Sequence, residues 1–343
     1  MGTRRRRVSV IRSRSKPVQW DDSRMEFISN CTTYSIANAA KALIDGHLVA
    51  FPTETVYGLG ADATNEMAVS RIYSVKGRPT DHPLIVHISS INKLEDWATD
   101  IPGYAIKLAR EFWPGPMTLI LPRTDLAKDY ITGRQSNVGL RVPDQPIALA
   151  LLRKFEEMGG KGVAAPSANR FGAVSATSAG GVKDDLGEYL DSTDIILNNG
   201  DCKVGIESTI VSCIDDIPKI LRPGSITKET IMNVLQIQMA YSDSNFNVRA
   251  PGNFLKHYAP TTQVVINEDC RPGDGFMAIS SIPTPSGAIR IASPNNGNEF
   301  AHQLYTAFRK SDLLKLKRIV VVIPHTEGIF EAIHDRLQKA SSR

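Results

Sequence analysis

The sequence predicts an α/β protein of two units, and three observations carry that reading. Helical and apolar strand patterns alternate from Tyr34 to Leu235, as in a sheet with helices packed on it. The pattern breaks between Ala240 and Pro260, then resumes from Thr262 to Arg343. At 343 residues the chain is also longer than one compact core usually organises.

The elements follow in order. Residues 35–44 show helical spacing of apolar side chains, and Leu48 to Phe51 is a short apolar strand. Pro52, two threonines and two glycines then form a loop ahead of a helix over residues 67–73. That stretch ends in Lys76-Gly77-Arg78-Pro79, and the apolar strand Leu84 to His87 closes on a histidine. Helical patterns recur over residues 105–113 and 147–155. Apolar strands fall at 117–121, 138–142, 163–165, 195–197, 209–213 and 220–222, and a helix over 229–235 ends the unit. Residues 239–261 mix polar residues, prolines and scattered aromatics with no period, which marks a linker. Short strands over 263–266, 276–279, 289–291 and 319–323, with helices over 300–314 and 329–339, make a small second α/β unit. The division is therefore a basic arm (1–26), a first unit (27–238), a linker (239–261) and a second unit (262–343).

Composition bounds the function. An apolar fraction of 42% with 22% charged residues fits a soluble globular chain. No apolar run approaches the roughly 18 residues of a spanning helix, so no membrane partner is expected. The net charge of +4 is uneven: residues 1–16 hold seven cations and no acid, which leaves the remainder at −3. That arm reads as a solvated tail, or alternatively as an electrostatic contact with RNA or an Arg-rich transit segment. Cys31, Cys202, Cys213 and Cys270 have no CxxC spacing, so reduced thiols in a cytoplasmic protein are expected rather than zinc or disulfides.

Several constellations carry chemistry. Gly58-Leu59-Gly60-Ala61-Asp62-Ala63 matches the GxGxxA dinucleotide pattern. Six residues separate it from the preceding strand, which argues against the tight strand-to-helix turn that motif needs. Gly159-Gly160-Lys161-Gly162 lacks the spacing and the Ser/Thr of a Walker loop. Lys76 and Arg78 could simply compensate a helix C-terminus, but Pro79 and Pro83 stiffen the segment and suit a fixed grip on phosphate oxygens. Ala165-Pro166-Ser167-Ala168-Asn169, with Ser175 beyond, reads either as a plain turn or as a close approach of backbone and hydroxyls to a nucleotide. Ser208 in GIESTIV poses the same choice. Arg141, inside the apolar VGLRVP strand, must find an anion, either an internal carboxylate or a substrate one.

In chain order, PTETVYGLG, KGRP, PLIVH, WPGPMTLIL, VGLRVP, APSAN, GIESTIV and LRPGSI resemble the YrdC-like L-threonylcarbamoyladenylate synthases. PGNFLKHYAP and AIHDRL extend the likeness to the family's long, two-domain form. The resemblance implies an open twisted α/β sheet with a basic concave face and a smaller C-terminal Rossmann-like domain. It implies a nucleotidyltransferase that joins L-threonine, bicarbonate and ATP, with Mg2+ on the phosphates, into L-threonylcarbamoyl-AMP and pyrophosphate. A downstream tRNA threonylcarbamoyl transferase would use that product. By motif, Thr55, His87, Arg141, Ala165 and Ser208 would form the threonine pocket. Lys76, Arg78, His82, Asn137, Ser167, Ser175 and Arg222 would hold ATP, with Tyr258 of the linker closing over it and Lys76 and Arg78 acting on the phosphates. His82 and Asn198-Asn199-Gly200 depart from the family pattern, which often has Asn and Asp-Gly-Gly there. The rival readings are an RNA-binding module and a carbamoyl-transfer protein using the same basic face.

Overall fold

The computed structural model describes residues 33–237, 248–249, 251–252 and 257–342. The arm predicted over residues 1–26, and Phe254 and Lys256 of the predicted linker, lie outside the described residues.

Helix α1 (Thr33–Ile44) leads into β1 (Val49–Phe51), and β2 (Gly58–Asp62) returns antiparallel with Ala50 opposite Leu59. Helix α2 (Glu66–Lys76) starts where the Asn65 side chain accepts from the Ala68 N–H and stops at Gly77, left-handed at φ 62°. Then come β3 (Ile85–His87), α3 (Leu94–Trp97), α4 (Gly103–Phe112), β4 (Met117–Pro122), α5 (Asp129–Thr132) and β5 (Asn137–Arg141). The unit ends with α6 (Pro146–Glu157), β6 (Val163–Ala164), α7 (Ala179–Leu186), β7 (Ile195–Ile196), β8 (Thr209–Ser212), β9 (Lys219–Arg222) and α8 (Lys228–Leu235). These strands form one mixed sheet in the order β7-β1-β2-β6-β3-β5-β4-β8-β9.

Four of these elements stand outside the sequence pattern: β2, α3, α5 and α7. Helices α3 and α5 are single turns of four residues, too short to show a period. Gly180 and Gly181 sit within α7, where each disfavours helix by about 1 kcal/mol. Strand β2 was hidden by its glycines, which read as loop. A Cβ at Gly60 would lie 2.8 Å from Val163 Cγ1 and 2.9 Å from Phe51 Cε1, so neighbouring side chains occupy the space a larger residue would need.

Register sets the two faces. His87 is opposite Arg141 in the parallel β3–β5 pair and opposite Val163 in the antiparallel β3–β6 pair. Because side chains alternate, Ile85, His87, Arg141 and Val163 share one face. Val86, Leu140, Leu119 and Val211 point to the other face, into the large core under the helices. On the first face, α1 and α6 cover β1, β2 and β6 through Leu43, Leu151 and Phe155. The remainder, over β3, β5, β4, β8 and β9, carries Ile85, Ile120, Ile210 and Leu221, packed with Val248.

The second unit comprises β10 (Gln263–Ile266), β11 (Gly275–Met277), β12 (Ile289–Ala292), α9 (Gly297–Leu313), β13 (Arg318–Val321) and α10 (Ile329–Ser341). Its strands pair in parallel, in the order β10-β13-β11-β12. Its core of Phe300, Leu304, Phe308, Ile319 and Ile333 also takes in Val56, Val174 and Ile206 of the first unit. Arg309 forks onto Asp185 at 3.0 and 2.6 Å and donates to the Val174 carbonyl at 2.7 Å. Gly205, left-handed at φ 81°, lets its loop rest on α9, since a Cβ there would lie 2.6 Å from His302 Cα. The two units share one interior.

Candidate active site

The uncovered part of the sheet face walls an open pocket, about 590 Å³ when the solvent at its mouth is included. Its lining comes from the turn after β1 (Thr53, Thr55 to Gly58), from residues 83–85 and His87 along β3, and from Arg141 at the end of β5. Ala165 to Ser167 after β6, Glu207 and Ser208 before β8, and Arg222 at the end of β9 continue it. Arg78, and Pro251, Gly252, His257 and Tyr258 of the connecting segment, complete it.

Thr55, His87, Arg141, Ala165 and Ser208 are brought together on this lining. Thr53 Oγ1 donates to the Val56 carbonyl at 2.6 Å and lies 2.8 Å from Thr55 Oγ1. A hydroxyl has one proton, so Thr55 must donate to Thr53 and can offer the pocket only lone pairs. His87 is buried with no hydrogen-bond partner at Nδ1. Burial, and then the Arg141 charge beside it, push its pKa down to about 3, so the ring is a neutral imidazole. Ser208 Oγ lies 2.8 Å from Thr118 Oγ1 and accepts from Arg222 Nη2 at 3.1 Å.

Arg141 has an internal anion. Its Nη2 lies 2.6 Å from Glu54 Oε1 with both side chains buried, though the pair is not aligned as a hydrogen bond. Its Nε donates to the Gly115 carbonyl at 3.3 Å. Of the two anions the apolar strand left open, the carboxylate is therefore present, while the guanidinium still faces the pocket.

The ATP set is split. Arg78, Ser167, Arg222 and Tyr258 line the pocket, whereas Lys76, His82, Asn137 and Ser175 stand behind or away from the lining. Lys76 Nζ donates to the Ser167 carbonyl at 2.5 Å and to that of Asn169, so it anchors the loop that carries Ser167. Burial, then Arg78 nearby, hold its ammonium well below the usual lysine range. Arg78 Nη2 donates to the Pro83 carbonyl at 2.9 Å, and burial lowers its pKa to about 10. His82 packs its ring 5.2 Å from that of Phe171, and burial lowers its pKa. Asn137 opens β5, at the opposite end from Arg141. Ser175 donates to Glu207 Oε1 at 2.5 Å. Arg222 holds the Ser208 carbonyl with Nε (3.0 Å) and Nη2 (2.9 Å), and the Pro251 carbonyl with Nη1 (3.0 Å).

Among the residues at the site with no expectation from the sequence are Glu54, Glu207, Tyr305 and Arg336. Glu207 Oε2 accepts from Tyr305 Oη and from Arg336 Nε, each at 2.9 Å. Its buried carboxyl is held at about pKa 2: burial raises it, but the Arg336 and Arg222 charges outweigh that. Three of these lie inside motifs noted above, PTETVYGLG, GIESTIV and AIHDRL, and a buried acid with a buried arginine was the available signal.

Residues 41–224 match the model of the Sua5, YciO and YrdC family, described as telomere recombination. Residues 226–342 match that of the threonylcarbamoyl-AMP synthase C-terminal domain. The chain belongs to the threonylcarbamoyl-AMP synthase family. A Bacillus subtilis threonylcarbamoyl-AMP synthase is 47% identical over 327 residues, covering 89% of this chain and 92% of that one. A Pyrococcus abyssi synthase is 37% identical, covering 90% of this chain and 94% of that one. The crystal structure of P. abyssi Sua5 complexed with L-threonine superposes with a TM-score of 0.81 at 35% identity, covering 91% of this chain and 96% of that one. The threonylcarbamoyl-AMP synthase family thus accounts for both units, and the chain is an enzyme of nucleotidyltransferase type. Among the described residues no helix is long and apolar enough to cross a membrane.

Proposed function

We propose that this pocket joins L-threonine, bicarbonate and ATP into L-threonylcarbamoyl-AMP, releasing pyrophosphate and water. One observation carries the reading: two chemically distinct groups line one pocket. One group is the Arg141 guanidinium, the lone pairs of Thr55 and the neutral His87. It suits a zwitterionic amino acid, the guanidinium taking the carboxylate and Thr55 accepting from the ammonium. The other group is Arg78 and Arg222, whose planar guanidiniums suit phosphate oxygens. The names of the B. subtilis and P. abyssi relatives, and the threonine bound to P. abyssi Sua5, support the assignment.

The chain need not supply a nucleophile. The threonine nitrogen, once its ammonium proton is released, takes up bicarbonate carbon with loss of water, and the resulting carbamate oxygen attacks the α-phosphorus while pyrophosphate leaves, carrying that proton. Holding the reactants adjacent contributes up to roughly 7–11 kcal/mol. Arg78 and Arg222 offset the charge that develops on the phosphates. Lys76 acts one step back by fixing the Ser167 loop. Mg2+ fits this pocket only through the phosphates. Glu207, the carboxylate on the lining, has both oxygens engaged, and Glu54 lies behind Arg141. The product is a labile acyl-phosphate relative, to be consumed by a tRNA threonylcarbamoyl transferase. Pyrophosphate release from ATP should require both L-threonine and bicarbonate, each omitted in turn. Release indifferent to threonine overturns the assignment.

A further inference from the structure

We propose that Arg336 and Tyr305, both in the second unit, are positioning residues that hold Tyr258 over the pocket. The inference rests on the function proposed above. Tyr258 is 1% exposed, lines the pocket and has no hydrogen-bond partner for its hydroxyl. Its backbone is left-handed at φ 60°, a conformation a side-chain-bearing residue keeps only when its surroundings impose it. Those surroundings come from the second unit. The Tyr305 ring stacks on it with centroids 5.9 Å apart at 24°, and the Arg336 guanidinium carbon lies 5.2 Å from its ring centroid. His257, whose ring meets Tyr258 edge-on at 4.1 Å, donates its backbone N–H to the Lys339 carbonyl of α10 at 3.3 Å. Within the connecting segment, Gly252 leaves room for the phenol, since a Cβ there would lie 2.4 Å from Tyr258 Oη.

Arg336 and Tyr305 are themselves fixed. Both are fully buried and both donate to Glu207 Oε2, while Ser175 holds Oε1. Asp335 Oδ2 accepts from Arg336 Nη1 at 2.6 Å. The first unit thus offers one carboxylate, and the second unit reads it with a phenol and a guanidinium whose other faces bear on Tyr258. Ser208, by contrast, has its own anchors in Thr118 and Arg222. Loss of Arg336 should therefore loosen Tyr258 and the ATP side and spare the threonine group.

The test is the full-length Glu207→Gln/Arg336→Met double variant beside the wild type. Removing one charge of each sign leaves the net charge unchanged and strands neither partner of the buried Glu207–Arg336 pair. By calorimetry, ATP should bind roughly 10-fold more weakly, with threonine affinity within about 2-fold, for a loss the size of one charge-assisted contact. A folded double variant that binds ATP as the wild type does, or loses both ligands equally, overturns the proposal. If the double variant does not fold, Arg336→Lys serves instead. It keeps a charge for Glu207 but loses the planar face over Tyr258, and the same split is required of it. A wild-type chain that binds neither ligand overturns the proposed function, and this inference with it.

Discussion

Arg141 shows how one residue can satisfy a structural and a functional demand at once. An arginine in an apolar strand needs an anion, and Glu54 supplies it at 2.6 Å. Arg141→Ala should weaken threonine binding by about 1.5–3 kcal/mol, roughly 10- to 150-fold, with ATP affected much less. It should also strand the Glu54 carboxylate in the interior, at a cost of about 3–5 kcal/mol in stability. Glu54→Gln added to Arg141→Ala should recover most of the lost melting temperature without recovering threonine affinity. If the second change restores threonine binding, Arg141 is only half of a structural pair. The need for an anion was legible in VGLRVP; its source was not, because the partner lies on a turn far away in sequence. Hydroxyl roles were similarly half-legible. Thr55 could be placed, but its acceptor-only state follows from the Thr53 bond to the Val56 carbonyl.

At the scale of elements, apolar runs showed where β1, β3, β4, β5, β8 and β9 lie, since buried strands exclude polar residues from long stretches. Strand β2 shows how a strand escapes that reading. Its glycines weaken any local preference for a strand, and their purpose lies in the neighbours: Phe51 and Val163 fill the space above Gly60. Register was likewise invisible. Nothing in PLIVH or VGLRVP states that His87 and Arg141 will pair side by side. Gly60→Ala is the matching test. Its Cβ would press on two side chains and lie 3.1 Å from the Val49 carbonyl oxygen. Overpacking of that kind costs about 1–3 kcal/mol, readable as a lower urea midpoint with an unchanged slope. An unchanged midpoint means that β1 and β6 can move apart freely, and that the glycine is not required for packing.

At the scale of the whole molecule the two units are packed together: the second unit's core takes in Val56, Val174 and Ile206, and Glu207 finds Tyr305 and Arg336 there. The sequence marked a second unit but not what it touches, since contacts between distant segments leave no periodic trace. Calorimetry of the full chain should then show a single cooperative transition. Three buried groups at the site contribute to its response to acid. His87 and His257 have pKa values pushed down to about 3 from 6.5, chiefly by burial, so the folded chain keeps both rings neutral. Between those limits the unfolded chain takes up protons that the folded chain refuses, so stability falls as pH drops from about 6.5 towards 3. Glu207, lowered to about 2 from 4.5 by its arginines, contributes stability that is lost as pH falls below 4.5. All three act in the same direction, and His257 and Glu207 sit at the junction of the two units. One transition whose midpoint drops between pH 7 and pH 4 is therefore expected. In the His257→Gln variant, which has nothing to titrate at that position, the drop should be shallower. Two separate transitions would falsify the shared core, and equal acid slopes in wild type and variant would remove His257 from the account.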